Sequence, residues 1–222
     1  MTKSSSIWIQ KRRRDQYYKL AKSRGYRSRA AFKLLQVVKS YRFIGKGDRV
    51  IDLGAAPGGW TQVASEIVGN EGYVLGIDIK PIDPLSQPQV ELMELDVTST
   101  STITLLVEKF PDKVDAVISD VSPNVSGAWD VDHSRQIHLA RKSLEVAQAV
   151  LKLGGNFLVK VFQGSELNNF LDEVRKSFRE VRLVRPRATR ASSSELYVLG
   201  LGLISRSRPT VGTTLSSVDL SD

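Results

Sequence analysis

The sequence predicts an α/β fold in which a mostly parallel sheet is covered by helices on both faces. Short apolar runs alternate with amphipathic segments along most of the chain. The runs are almost continuously apolar, as expected for strands that are buried on both faces. A glycine-rich stretch directly follows the first run. A chain of 222 residues is long enough for one such domain with a full core.

The elements follow one another in a regular order. Two basic segments with helical periodicity come first, at about 11–22 and 28–40. Strands are then predicted at Arg49–Leu53, Tyr73–Ile77, Val90–Leu95, Asp115–Ser119, Phe157–Phe162, Glu180–Val184 and Leu196–Leu203. Helices are predicted at Trp60–Val68, Thr102–Phe110, Ser134–Leu153 and Glu166–Phe178, with a turn at Gly154-Gly155. Residues 205–222, rich in Ser and Thr, predict a disordered tail after a single domain at 1–204.

Composition excludes several classes of protein. There is no cysteine, so disulfides, thiolate metal sites and cysteine nucleophiles are excluded. No apolar run is long enough for a signal peptide core or a membrane span. With 41% hydrophobic and 25% charged residues, we expect an ordinary cytoplasmic protein that does not bind membranes.

Charge is distributed unevenly along the chain. Residues 1–49 carry 15 Lys and Arg against 2 Asp and Glu, whereas residues 50–174 carry 8 against 18. The basic positions, which are interleaved with tyrosines, favour an RNA partner, because cations meet phosphates and rings stack on bases. A solvated basic tail, or a helix that binds any acidic surface, is the alternative. The residues concerned are Lys11-Arg12-Arg13-Arg14, Arg24, Arg27 and Arg29, with Tyr17, Tyr18 and Tyr26.

The glycine-rich stretch is DLGAAPGGW at 52–60. It falls at the first strand-to-helix turn, where ligands of doubly wound sheets bind beyond the strand ends. We interpret it as a cofactor-binding loop, with a tight structural turn as the alternative. A dinucleotide fingerprint is poorly matched, because Ala56 and Pro57 interrupt the required glycine spacing.

Three aspartates follow successive predicted strands. Asp78 ends the second strand, where an acid that binds ribose hydroxyls belongs in such folds, and Asp96 and Asp120 end the next two. Carboxylates repel phosphates, so the set favours a ligand with sugar hydroxyls, an exocyclic amine and positive charge. S-adenosylmethionine has these features. Each aspartate taken alone could instead cap a helix.

A lysine interrupts a strand that should be buried. Lys160 lies within the apolar run 157–162, where an unpaired ammonium would cost several kcal/mol. Asp120, at the end of a neighbouring strand, could pair with it, and Glu195 could reach the same edge. The alternative is a lysine that extends from the strand end to water. Lys33 would pass, on position alone, as one more basic surface residue.

Four motifs of the chain form a recognisable set: SRAAFKL at 28–34, VIDLGAAPGGW at 50–60, SDVSPNVSG at 119–127 and LVKVFQG at 158–164. With these motifs the chain resembles the FtsJ/RrmJ (RlmE) family of RNA ribose 2′-O-methyltransferases. The resemblance extends from about residue 10 to residue 204. It implies a Rossmann-like methyltransferase fold with a seven-stranded sheet, an antiparallel last strand and S-adenosylmethionine as methyl donor.

The resemblance also implies site residues. A catalytic tetrad falls on Lys33, Asp120, Lys160 and Glu195, and the cofactor site on Gly58, Trp60, Asp78, Asp96 and Asp120. Methyl transfer to a hydroxyl needs a group that handles its proton, and Lys160 is the candidate, either as a neutral base or as an ammonium that stabilises the alkoxide. Asp120 would orient Lys160, while Glu195 and Lys33 would hold the charge network. No metal is required, and His133 and His138 are interpreted as solvated surface residues.

The sequence therefore predicts a monomeric RNA 2′-O-methyltransferase. The family resemblance favours, as the substrate, a uridine of large-subunit (23S-type) ribosomal RNA, free or in the assembled large subunit. The alternatives are a tRNA anticodon loop, an mRNA cap and a non-catalytic RNA-binding ribosome assembly factor. A nicotinamide-dependent oxidoreductase is disfavoured by Ala56 and Pro57.

Overall fold

The computed structural model describes residues 15–204, which form thirteen helices and strands. The helices are α1 (Gln16–Ser23), α2 (Ala31–Tyr41), α3 (Gly59–Val68), α4 (Thr100–Lys109), α5 (Trp129–Val150) and α6 (Leu167–Arg175). The strands are β1 (Arg49–Leu53), β2 (Tyr73–Asp78), β3 (Val90–Glu94), β4 (Val114–Ser119), β5 (Leu151–Phe162), β6 (Phe178–Val184) and β7 (Glu195–Leu203).

The seven strands form one sheet in the order β3-β2-β1-β4-β5-β7-β6. Strands β1 to β5 pair in parallel, and β7 is antiparallel to both β5 and β6. The predicted α/β fold with an antiparallel last strand is therefore confirmed. Because the strand order reverses between β1 and β4, the carboxyl ends of these strands border the switch point at which such sheets bind ligands.

The sheet is buried on both faces because adjacent residues of a strand point to opposite sides. On β1, Val50 contributes to the hydrophobic cluster that includes residues of α2 and α3, whereas Ile51 contributes to the cluster that includes residues of α5 and α6. Both side chains are fully buried. The near-continuous apolar runs in the sequence are explained by this two-sided burial.

The largest differences from the predicted boundaries are in α5 and β5. Helix α5 begins at Trp129 rather than near Ser134, and Asp132 in its first turn accepts hydrogen bonds from the Ser126 and Gly127 backbone N–H groups. Strand β5 includes the predicted turn at Gly154-Gly155 as a bulge. There, Val114 of β4 lies opposite Leu151 of β5, and Ala116 lies opposite Asn156.

Two predicted features lie outside the described residues. These are the basic run Lys11–Arg14 and the disordered tail at 205–222. Among the helices within residues 15–204, none combines the length and the apolar character that crossing a bilayer requires.

Candidate active site

A cleft of about 460 Å³ opens at the carboxyl ends of β1, β2 and β4. Its size lies within the range of small-molecule sites. Residues 121–124 form part of its lining, together with Gly54, Asp78, Asp96 and Asp120. The structure thus brings the three predicted aspartates to one cleft beside the glycine-rich loop. This convergence follows from parallel strands, whose carboxyl ends share one edge of a sheet.

Backbone N–H groups hold two of these carboxylates in place. Asp78 accepts from Ala56 N–H at 3.0 Å and from Lys80 N–H at 2.9 Å. Asp96 accepts from the backbone N–H and the hydroxyl of Thr98, at 2.8 and 2.7 Å. A carboxylate has about four acceptor positions, so each retains capacity for the hydroxyl or amine donors of a ligand.

Gly58 and Trp60 do not line the cleft. A Cβ on Gly58 would stand 2.9 Å from Arg27 Nη1, and the Gly58 φ of +106° also favours glycine. The Trp60 indole N–H donates to the Ala30 carbonyl at 2.8 Å, and its ring packs 5.6 Å from that of Tyr197. These two residues therefore pack the loop against the segment that carries Lys33, and their contact with a cofactor stays a prediction.

Two arginines of the basic segment bind within the protein. Arg27 donates to the carbonyls of Pro57, Asp83 and Pro84, at 3.2, 2.5 and 2.7 Å. Arg29 pairs with Asp15 and donates to the Ala188 carbonyl. The charge pattern favours RNA phosphates as partners of both arginines, whereas these contacts give them partners within the protein. Arg27 joins the glycine-rich loop to the loop that follows β2.

The four predicted catalytic residues come together as two ion pairs. Lys160 Nζ lies 3.2 Å from Asp120 Oδ1 and donates to the Asp120 carbonyl at 2.6 Å. Lys33 Nζ lies 2.5 Å from Glu195 Oε1. The Lys160 side chain is only 6% exposed, so its amino group is held by Asp120 rather than by bulk water.

Tyr197 connects the two pairs, and sequence reasoning missed it. Its hydroxyl lies 2.8 Å from Asp120 Oδ1 and 2.7 Å from Glu195 Oε1, and Lys33 donates to it at 3.3 Å. A phenol has one proton to donate, so it bonds one of these carboxylates at a time. Tyr197 lies opposite Lys160 in the sheet, but a tyrosine within an apolar strand is indistinguishable from a core residue in the sequence.

The electrostatics of this cluster keep Asp120 ionised. Burial by itself would raise the pKa of Asp120, but the charges of Lys160 and Lys33 and the hydrogen bonds it accepts lower the pKa below its usual value. Burial, together with the charges of Asp120 and Glu195, raises the pKa of Tyr197 well above its usual value. Tyr197 therefore remains a neutral hydrogen-bond donor between two carboxylates.

Asp52, the first residue of the glycine-rich stretch, does not line the cleft. It is fully buried in β1, and its Oδ2 accepts from the Thr61 hydroxyl at 2.7 Å. Its Oδ1 has no hydrogen-bond partner. Burial raises the pKa of Asp52 to about 8, and the Thr61 hydrogen bond opposes this shift only in part. Asp52 is thus a carboxyl group that stays largely protonated at neutral pH.

The prediction that both histidines are solvated is wrong for His133. Its side chain is buried, and its Nε2 accepts from the Glu166 backbone N–H at 3.0 Å. His138 is exposed, as predicted. Among residues 15–204, no group of three or more His, Cys, Asp or Glu side chains is placed to hold a metal ion.

Residues 26–203 match the family described as FtsJ-like methyltransferase. The chain belongs to the FtsJ-like methyltransferase family. The match covers all four motifs, the cleft and both ion pairs, and it confirms the predicted resemblance.

Curated relatives match over most of the chain. The ribosomal RNA large subunit methyltransferase E of Methanococcus aeolicus is 44% identical over 200 residues, which cover 90% of this chain and 74% of that protein. The protein of the same name from Methanosarcina mazei is 49% identical over 189 residues, which cover 85% and 69%.

Solved structures share the fold. A Plasmodium falciparum protein described as a ribosomal RNA methyltransferase is 27% identical, with a TM-score of 0.72 over 82% of this chain and all of that chain. Fibrillarin of Aeropyrum pernix, solved with natively bound S-adenosylmethionine, is 16% identical with a TM-score of 0.52, and the match covers 79% and 75% of the two chains. The family match confirms the predicted methyltransferase with S-adenosylmethionine as its methyl donor, and the solved structures confirm its fold.

Proposed function

We propose that this FtsJ-like methyltransferase methylates the 2′-hydroxyl of a ribose in large-subunit ribosomal RNA, with uridine as the target nucleotide. The observation that carries the proposal is the buried Lys160–Asp120 pair beside an acid-lined cleft. The curated relatives named above support ribosomal RNA as the substrate. We further propose that the enzyme acts as a monomer in the cytoplasm.

The residues of the cleft fit S-adenosylmethionine. Asp78, at the end of β2, would accept hydrogen bonds from the ribose hydroxyls, as acids at this position do in such folds. Asp96 would accept from the exocyclic amine, and the ionised Asp120 would face the positively charged end of the cofactor. When bound, the cofactor supplies an electrophilic methyl group on a sulfonium.

Lys160 would handle the proton of the attacking hydroxyl. As a neutral amine it would accept the proton, and as an ammonium paired with Asp120 at 3.2 Å it would stabilise the developing alkoxide. In either form, Asp120 fixes the position of Nζ through its carboxylate and its carbonyl. Lys33, Glu195 and Tyr197 would hold the network and orient the target ribose.

The surface beside the glycine-rich loop suits an RNA strand. A recess of about 510 Å³ next to Pro57 is lined by Tyr18, Lys22, Tyr26 and Arg190, among others. Lys22 and Arg190 are exposed, and Arg190 also pairs with Asp15 at 3.2 Å. Cations of this kind neutralise phosphates, and tyrosine rings offer stacking surfaces for bases.

The proposal is tested by methyl transfer from labelled S-adenosylmethionine. Assembled large ribosomal subunits, free large-subunit RNA and total tRNA are incubated separately with the enzyme, and the modified nucleotide is mapped. We expect a 2′-O-methyluridine in large-subunit RNA, and no transfer by Lys160→Met. Labelling confined to tRNA, or a methyl group on a base, would contradict the proposed substrate.

A further inference from the structure

An exposed tryptophan lies at the start of α5, outside the network described above. Trp129 retains 47% of its surface in solvent. Its ring lies 6.0 Å from that of Phe162 and 6.3 Å from that of His133, with an interplanar angle of 22° in both cases. We call these three rings the aromatic ledge.

The ledge rests on a rigid support. His133 is buried, and its Nε2 is fixed by the Glu166 backbone N–H at 3.0 Å. Gly164 packs so closely on the His133 ring that an added Cβ would lie 2.5 Å from it. Asp132 accepts from Ser126 and Gly127 and so anchors the loop that leads into Trp129. The exposed ring is therefore held in place before any ligand arrives.

The ledge adjoins the catalytic edge of the sheet. Phe162 follows Lys160 by two residues and lies opposite Glu195, just as Lys160 lies opposite Tyr197. Side chains two residues apart on a strand point to the same face, so Phe162 is next to the catalytic pairs. On the other side, residues 121–124 of the loop that leads to Trp129 line the cofactor cleft.

The charges around Trp129 favour a base over a phosphate. The following residue is Asp130, and Asp132 is one turn further along α5. Carboxylates so close to the ring repel a phosphate. The uncharged face of any of the four nucleobases can stack on a tryptophan ring.

We propose that Trp129 stacks on an unpaired base of the RNA strand that carries the target ribose. This inference rests on the proposed function, since it requires an RNA substrate. It assigns the ledge a specific task, which is to hold the strand so that one ribose hydroxyl faces Lys160.

The test combines affinity with fluorescence. Trp129→Ala, Trp129→Phe and a matched control, Tyr41→Ala, are compared for binding of large-subunit ribosomal RNA and of S-adenosylmethionine. Tyr41 is an aromatic residue that is 37% exposed, and it lies roughly 12 Å along α2 from Lys33 at 1.5 Å per residue. RNA is also titrated into the Trp8→Phe variant while tryptophan emission is recorded. The two tryptophans of this variant are Trp60, which is buried, and the exposed Trp129, so a ligand that contacts a tryptophan directly is expected to act on Trp129.

We expect Trp129→Ala to weaken RNA binding roughly 5- to 150-fold, the range for loss of one base stack. Trp129→Phe should retain most of the affinity, Tyr41→Ala should match the unmodified protein, and cofactor affinity should stay constant throughout. RNA should quench Trp129 emission, whereas inorganic polyphosphate, which has no bases, should not.

Two results would overturn the inference. One is unchanged RNA affinity of Trp129→Ala. The other is Trp129 emission, measured in the Trp8→Phe protein, that RNA leaves unchanged or that polyphosphate quenches as strongly as RNA does. This second result does not depend on whether Trp129→Ala folds. If the unmodified enzyme still methylates RNA in either case, only the ledge is refuted. An enzyme that transfers no methyl group to any RNA refutes the proposed function as well.

Discussion

Replacing Lys160 by methionine removes the amine and keeps a side chain of similar length and apolar character. The Lys160 side chain is 6% exposed and Nζ has two acceptors on Asp120. Breaking a buried ion pair costs about 3–5 kcal/mol when the partner is left buried and uncompensated. The Asp120 side chain is 18% exposed and keeps the Tyr197 hydrogen bond, so we expect a stability loss of roughly 1–3 kcal/mol.

The effect on catalysis should be larger than the effect on folding. General acid–base assistance contributes about 10²- to 10⁴-fold to a rate, which corresponds to roughly 3–5.5 kcal/mol of barrier. Lys160 is absent from the cleft lining, so cofactor affinity should change by no more than a few fold. The assay is single-turnover methyl transfer at saturating RNA, with calorimetric titration of S-adenosylmethionine as the control.

A second variant distinguishes the two proposed forms of Lys160, the neutral amine and the ammonium. Arginine remains protonated at all relevant pH values, so Lys160→Arg can stabilise an alkoxide but cannot accept a proton. Activity of Lys160→Arg well above that of Lys160→Met would identify the ammonium role, and equal inactivity would favour the neutral base. Turnover of Lys160→Met close to that of the unmodified enzyme would refute the assignment of Lys160 altogether.

Three further outcomes follow from the site and the charge pattern. Asp78→Ala should weaken S-adenosylmethionine binding by about 1–3 kcal/mol through lost ribose contacts, and an unchanged dissociation constant in calorimetry would contradict that role. Because burial raises the pKa of Asp52 to about 8, the unfolded chain releases this proton at lower pH, and the contribution of Asp52 to the free energy of unfolding falls as pH rises from about 4 to 8. Urea unfolding at the two ends of this range should therefore show a smaller pH dependence for Asp52→Asn, and an identical dependence would exclude a buried neutral carboxyl. Deleting residues 1–14 should flatten the dependence of RNA affinity on salt concentration, because the Lys and Arg side chains of this segment would no longer neutralise phosphates. An equal slope of affinity against salt before and after the deletion would show that these side chains do not contact RNA.

Local periodicity was sufficient for the fold class. Strands buried on both faces are almost continuously apolar, and helices repeat every 3.6 residues, so most elements were placed within a few residues, the starts of α5 and β5 excepted. The carboxyl ends of parallel strands share one edge of a sheet. The convergence of Asp78, Asp96 and Asp120 therefore followed from the strand assignments alone, as did the need for a partner to the buried Lys160.

Contacts between distant parts of the chain were decided only by the tertiary structure. Lys33 and Glu195 are 162 residues apart in sequence, and Tyr197 joins the two ion pairs although its strand reads as ordinary core. Gly58 accommodates Arg27, an arginine that charge alone assigns to RNA. The physical reason is that periodicity reports which way a side chain points relative to its own element, whereas its partner depends on which elements pack together.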